Sequence, residues 1–185
     1  MEYFHIILLA IIQGLTEFLP ISSSAHLVIV PRLCNFCDPG LDVDAFLHLG
    51  TLAATLIYFR REVFAMFKSF FSNHPADRKL AIGIIIATIP VIAIGFGFKA
   101  FWGSSVIRST MSIVITLLLG SVLMYCADAF TKKKLEHKNI EDLSIKEIFF
   151  VGLMQTLALF PGVSRSGSTI SAGLFTGLSR DSAAR

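Results

Sequence analysis

The stretch "QGLTEFLPISSS" (residues 13–24) places a carboxamide, a carboxylate, a proline and three consecutive hydroxyls between "IILLAII" and "AHLVIV", two runs suited to lipid. It recurs. "QTLALFPGVSRS" (residues 155–166) aligns with it at a fixed offset of 142: Gln13 with Gln155, Leu15 with Leu157, Phe18 with Phe160, Ser22 with Ser164 and Ser24 with Ser166, five identities in twelve positions. Neither copy has enough apolar residues on either side of its polar centre to cross a bilayer alone. Irregular backbone at membrane depth is tolerated only where protein or a water-filled cavity covers it. Residues 1–31 and 147–178 therefore read as two re-entrant helix-loop-helix hairpins.

The chain around them is a membrane protein by composition. Its 185 residues are 54% hydrophobic and 16% charged, with a mean hydropathy of +0.72, above the roughly 45–50% apolar content of a soluble domain. Residues 80–98 and 109–127 are two uncharged runs of nineteen residues, each able to cross a hydrocarbon core that takes about 20 residues of helix. Residues 45–59 form a third span if the helix starts near Leu41 and tolerates its flanking aspartates. The expected architecture is all-α: one polytopic domain over 1–185, with three transmembrane helices in 41–130. No stretch alternates as a strand would, and no linker divides the chain.

Charge distribution orients it. Arg60, Arg61, Lys68, Arg78 and Lys79 fall between the first two spans, and Lys132, Lys133, Lys134, Lys138 and Lys146 follow the third, whereas the intervening loop has only Lys99 and Arg108. The positive-inside rule puts the two richer segments in the cytoplasm. Three spans separate the two polar copies, an odd number, so the hairpins enter from opposite faces. That is an inverted-topology repeat, in which broken helices from each half build a site near the midplane. A formal net charge of +3 with no basic stripe argues against a nucleic-acid partner. The N-terminus lacks a basic region and an Ala-x-Ala site, so no cleavable signal is expected.

Glu17, His26 and Arg165 are ionisable groups at hydrophobic depth and hence functional candidates. "PGVSRSGST" (residues 161–169) suits an anion. Gly162 and Gly167 permit a tight turn and close approach of backbone, helix-start N–H groups after Gly167 face the ligand, and Arg165 supplies a planar fork for phosphate oxygens. The pattern also fits a Walker A frame, but Ser168 stands where its lysine belongs and no strand precedes it. Glu17 could hold a divalent cation together with diphosphate oxygens or act as a base. Ser23 and His26, three apart, could form a serine–imidazole pair, or the imidazole could itself be the nucleophile. His48, alone on a span, reads as a hydrogen-bonded core histidine. Cys34 and Cys37, with no second pair, read as incidental loop cysteines.

At "QGLTEFLPISSSAHL" and "PGVSRSGST" the chain resembles the undecaprenyl-diphosphatase family, also called bacitracin-resistance proteins, and the similarity continues through "HLGTLAATLIYFRRE" and "GLSRDSAAR". The resemblance implies a membrane phosphatase that converts undecaprenyl diphosphate to undecaprenyl phosphate, recycling the lipid carrier for peptidoglycan synthesis. It implies catalytic roles for Glu17, Ser23, His26 and Arg165, with Gln13, Ser22, Ser24, Ser164, Ser166, Gly167, Ser168 and Thr169 lining the substrate. Glu17 is the second acid of the family's Glu/Gln-x-x-x-Glu motif. Gln13 stands at the first position, so Glu17 alone is expected to bind the divalent cation, Mg²⁺ or Ca²⁺. The expected setting is the lipid bilayer of the bacterial inner membrane, with the site facing the periplasm and a homodimer as the candidate assembly. Relatives continue past "SRDSAAR" with further spans, which implies that most of the second repeat is missing and that stability and activity are reduced. The competing reading is a polyprenyl-phosphate flippase. An acid-phosphatase-like lipid phosphatase is disfavoured because no histidine follows His137.

Overall fold

The structure, a computed structural model, describes residues 2–71, 75–101, 104–132 and 137–184. His74, Lys133 and Lys134 lie outside the described residues. The helices are α1 (Glu2–Thr16), α2 (Ser23–Leu33), α3 (Leu41–Tyr58), α4 (Arg60–Ser69), α5 (Pro75–Phe101), α6 (Ser104–Ile107), α7 (Thr110–Lys132), α8 (Ile145–Gln155), α9 (Arg165–Thr176) and α10 (Arg180–Ala184), with short 3₁₀ turns at Ile140–Asp142 and Thr156–Leu159. Among the described residues there is no strand, only an isolated bridge between Lys138 and Leu178. The all-helical expectation therefore holds.

Helices α3 and α7 are each long and apolar enough to cross a membrane, and α5 is apolar over Ala81–Gly97. Their outward faces are greasy: Phe46, Leu49 and Leu52 on α3 and Met111, Leu118 and Val122 on α7 are exposed. Water would penalise such a surface, whereas a hydrocarbon solvent requires it. In lipid, apolar contact alone gives helices little reason to associate, so small residues and polar links hold them together. Gly152 illustrates the first device. A Cβ there would fall on the backbone of Ala87, so only glycine lets α8 lie directly against α5.

The buried core is correspondingly small. Leu9, Leu27 and Leu47 join α1, α2 and α3 in one cluster, and Ala25, Val28 and Ile113 join α2 to α7 in another. Helix α2 thus sits between the first and third long helices. A polar clamp closes one end. Arg108 donates to both carboxylate oxygens of Asp38, each at 2.8 Å, and to Asp44 Oδ2 at 2.6 Å, while Arg32 bonds the Arg108 carbonyl and Thr110. This is how α3 tolerates Asp44 in its first turn: the carboxylate is buried with a guanidinium against it.

At that same end His5 stacks on Phe36, with ring centroids 4.1 Å apart, so the start of α1 lies beside the end of α2. The other end carries the cation-rich segments. Lys79 donates to the Glu141 carbonyl at 2.7 Å, Lys138 pairs with Glu147 at 2.6 Å, and the Lys138 amide donates to the Gly177 carbonyl at 2.9 Å. The start of α8 therefore lies beside the end of α9. Cys34, Cys37 and Cys126 are free and exposed.

Candidate active site

The turn between α1 and α2 meets the turn between α8 and α9. Ser166 Oγ donates to the Leu19 carbonyl at 3.4 Å, Gly167 faces Pro20, and a cavity between them is lined by Ile21, Ser164, Ser168 and the Leu117, Ser121 and Met124 face of α7. Helix α7 also holds the second turn directly: Thr116 Oγ1 donates to the Pro161 carbonyl at 2.6 Å. Gly162, at φ 102°, is pressed so close that any Cβ would strike Thr116.

The two turns share the same serine-centred bonds. Ser22 Oγ lies 3.2 Å from Ser24 Oγ, and Ser164 Oγ lies 3.0 Å from Ser166 Oγ. Each first serine caps its helix, accepting from the Ala25 amide at 3.4 Å or the Gly167 amide at 3.2 Å. Its carbonyl accepts from the next amide, His26 at 3.4 Å or Ser168 at 2.9 Å. Every pair is separated by the 142 residues of the sequence offset. Ser22 departs from Ser164, with φ 64° against −71°, a strained conformation for a side-chain-bearing residue.

This capping corrects one expectation. Helix α9 starts at Arg165, and the Gly167 and Ser168 amides are already used by Ser164. The amides of Ser23 and Ser24 on α2, and of Arg165 and Ser166 on α9, have no described acceptor. Those are the N–H groups a helix start leaves for an anion.

Glu17 sits one turn beyond Gln13 on α1. Its Oε2 receives three donors: Ser23 Oγ at 2.5 Å, Gln13 Nε2 at 3.2 Å and His48 Nε2 at 3.2 Å. His48 Nδ1 is 2.7 Å from the Asp44 carbonyl. Both ring nitrogens thus face oxygen acceptors. Gln13, 1% exposed, also donates to Thr51 Oγ1 at 3.0 Å. The expected core histidine therefore contacts the candidate site residue Glu17, and Thr51 contacts Gln13.

The expected serine–imidazole pair is not what the side chains form. Ser23 turns to Glu17, while His26 Nδ1 lies 2.8 Å from the Ser22 carbonyl. A carbonyl only accepts, so Nδ1 carries the hydrogen and the neutral ring keeps its lone pair on Nε2. Arg165 is exposed, and its guanidinium makes no hydrogen bond or ion pair among the described residues. Ser168 is buried and bonds back to the Ser164 carbonyl, and Thr169 bonds back to Arg165 and Ser166, so these two shape the turn.

For a metal, no group of three or more His, Cys, Asp and Glu occurs among the described residues. The three described bonds to Glu17 all fall on Oε2, which leaves Oε1 for a cation completed by phosphate oxygens and water, the usual form of a one-carboxylate Mg²⁺ site.

Residues 6–185 match the family described as "Bacitracin resistance protein BacA". The chain is 44% identical over 190 residues to "Undecaprenyl-diphosphatase 2" of Stutzerimonas stutzeri, covering 100% of this chain and 70% of that protein. It is 43% identical to "Undecaprenyl-diphosphatase" of Alteromonas mediterranea with the same coverage. A protein of that name from Campylobacter curvus is 43% identical over 185 residues, 97% of this chain and 68% of the relative.

Proposed function

Because the chain belongs to the bacitracin resistance protein BacA family, we propose that it is a membrane phosphatase hydrolysing undecaprenyl diphosphate to undecaprenyl phosphate and inorganic phosphate. The observation that carries this reading is the Ser23–Glu17 contact, a hydroxyl 2.5 Å from a carboxylate, close to where the turn leading into α2 meets the turn leading into α9.

The terminal phosphate lies between the first turns of α2 and α9, held by the unspent amides and by Arg165. Ser23 Oγ attacks the terminal phosphorus while its proton passes to Glu17 Oε2. The bond from phosphorus to the bridging oxygen breaks and undecaprenyl phosphate leaves. Water then attacks the phosphoseryl group, the P–Oγ bond breaks, and the proton returns to Oγ. His26 is the rival nucleophile through Nε2, but its Nδ1 contact to Ser22 gives it no described base. Phosphoryl transfer depends mainly on positioning and on stabilising the charge on the phosphoryl oxygens, which amides and a guanidinium supply. A divalent cation, Mg²⁺ or Ca²⁺, bound at Glu17 would supply further charge neutralisation on the diphosphate.

The matching hydrogen bonds of the two turns, and helix pairs whose outer ends lie at opposite ends of the molecule, support re-entrant hairpins in an inverted repeat. The end bearing Arg108, poor in cations, faces the periplasm of a bacterial inner membrane, and the hairpin of α1 and α2 opens there.

Purified protein in liposomes containing polyprenyl diphosphate should release phosphate, and EDTA should suppress the release. A flippase that moves the lipid without hydrolysis releases none, and that result would overturn the reading.

A further inference from the structure

Helix α3 contributes two side chains to the site that the mechanism above does not use. His48 and Thr51 lie about one turn apart on one face, and each reaches a different residue of α1: His48 Nε2 to Glu17 Oε2 at 3.2 Å, and Thr51 Oγ1 accepting from Gln13 Nε2 at 3.0 Å. Gln13 Nε2 in turn donates to the same Oε2. Thr51 Oγ1 donates to the His48 carbonyl at 3.1 Å, and His48 Nδ1 is tied to the Asp44 carbonyl at 2.7 Å. Asp44 is itself clamped by Arg108. Every part of this scaffold is therefore fixed by another bond, and it all bears on one carboxylate oxygen.

A histidine serving only to fill the core would be satisfied by its Asp44 contact and buried. His48 is 30% exposed and spends its second nitrogen on Glu17. A carboxylate with one hydrogen bond can rotate about its terminal torsion, which is broad and roughly two-fold. With donors from α1, α2 and α3 on Oε2 it cannot, so Oε2 stays opposite Ser23.

We propose that His48 is a positioning residue for the phosphatase reaction: it holds Glu17 Oε2 in place as acceptor for the Ser23 proton, with Thr51 doing the same through Gln13. The proposal rests on the phosphatase reading. Its consequence is that His48 acts on turnover and only weakly on substrate affinity, because Arg165 and the helix starts that bind the phosphate lie on other elements.

The test compares His48→Leu, His48→Gln and His48→Asn in the full chain in liposomes, reading kcat and KM for phosphate release. Glutamine can present an N–H near the position of Nε2, whereas asparagine is shorter and leucine has no donor. Displacing a reacting group by about 1 Å costs about 100-fold. The Leu and Asn variants should thus lose about that factor in kcat with KM moving less than about threefold, and Gln should stay within about tenfold of wild type. Leu or Asn at the wild-type rate, or Gln as impaired as Asn, would overturn the proposal. Loss shared equally by all three is the mark of a purely structural role.

A second measurement does not depend on the reaction. Thermal unfolding in detergent of His48→Leu, Glu17→Gln and the double variant should show losses that fail to add, since the two residues touch. Additive losses contradict the contact. If wild type releases no phosphate, the phosphatase reading fails, and this cycle still decides whether His48 holds Glu17.

Discussion

Replacing Gly162 by alanine should damage the second turn more than any other single methyl group added there. Gly162 adopts φ 102°, and a Cβ would overlap Thr116 Oγ1 and come within 2.9 Å of the Ile113 carbonyl. Holding a side-chain-bearing residue in that region costs about 1–3 kcal/mol. Relieving the overlap moves Thr116 off the Pro161 carbonyl and forfeits a hydrogen bond worth about 1 kcal/mol. The sum is about 2–4 kcal/mol, which at about 2–4 °C per kcal/mol for a chain of this length lowers Tm by about 5–15 °C. Turnover should fall further than stability, because the displaced turn carries Ser164 and Arg165, two and three residues on. The assay is thermal unfolding in detergent alongside phosphate release in liposomes. Thr116→Ala separates the parts: alone it loses only the hydrogen bond, and in its background Gly162→Ala keeps the φ strain but loses the hydroxyl overlap, so the double variant is more stable than additivity expects. A Gly162→Ala protein with Tm within about one degree of wild type and unchanged turnover would refute the reasoning.

Arg108→Met strands the buried Asp44 carboxylate, whose side chain is 9% exposed. Breaking such a pair costs about 3–5 kcal/mol, so chemical or thermal unfolding should shift by that amount, and a change below about 1 kcal/mol counts against the clamp. Asp44→Asn should cost less, because Asp38 still accepts two bonds from Arg108. With Cys37 and Cys126 changed to serine, Cys34 should react with a membrane-impermeant thiol reagent in intact cells. Protection of Cys34 until lysis would reverse the proposed sidedness.

Much of the fold was legible because lipid constrains sequence so strongly. The uncharged run at 80–98 lies within α5 and the run at 109–127, but for Ser109, within α7, and α3 begins at Leu41 as the flanking aspartates required. The polar centres interrupt the apolar runs on either side, and the breaks at residues 17–22 and 160–164 fall inside them. Helix α4 was not anticipated, since ten residues with four charges, Arg60, Arg61, Glu62 and Lys68, read as a loop when only length and hydropathy are weighed. Within the site, residue types were readable but partners were not. Ser23 and His26 share a spacing that permits contact on a helix, yet the Glu17 carboxylate, outside that helix, is the stronger acceptor and takes the serine. The helix start looked to fall after Gly167, but Ser164 caps the helix three residues earlier and takes the Gly167 and Ser168 amides. His48 carried the signal already used for Glu17, an ionisable group at hydrophobic depth, with Thr51 on the same face. What the sequence lacked was the crossing of α1 and α3 that turns a lone histidine toward a carboxylate.

The central claim is that two turns, 142 residues apart in the chain, act on one diphosphate. The measurement that tests it most directly is single-turnover phosphate release by wild type, Ser23→Ala from the first turn and Arg165→Ala from the second, each verified as folded by its unfolding transition. The account predicts release by wild type and a loss of at least about 100-fold in each variant, in line with removal of a single transition-state donor. A near-wild-type rate in either one would mean that its turn does not serve the site.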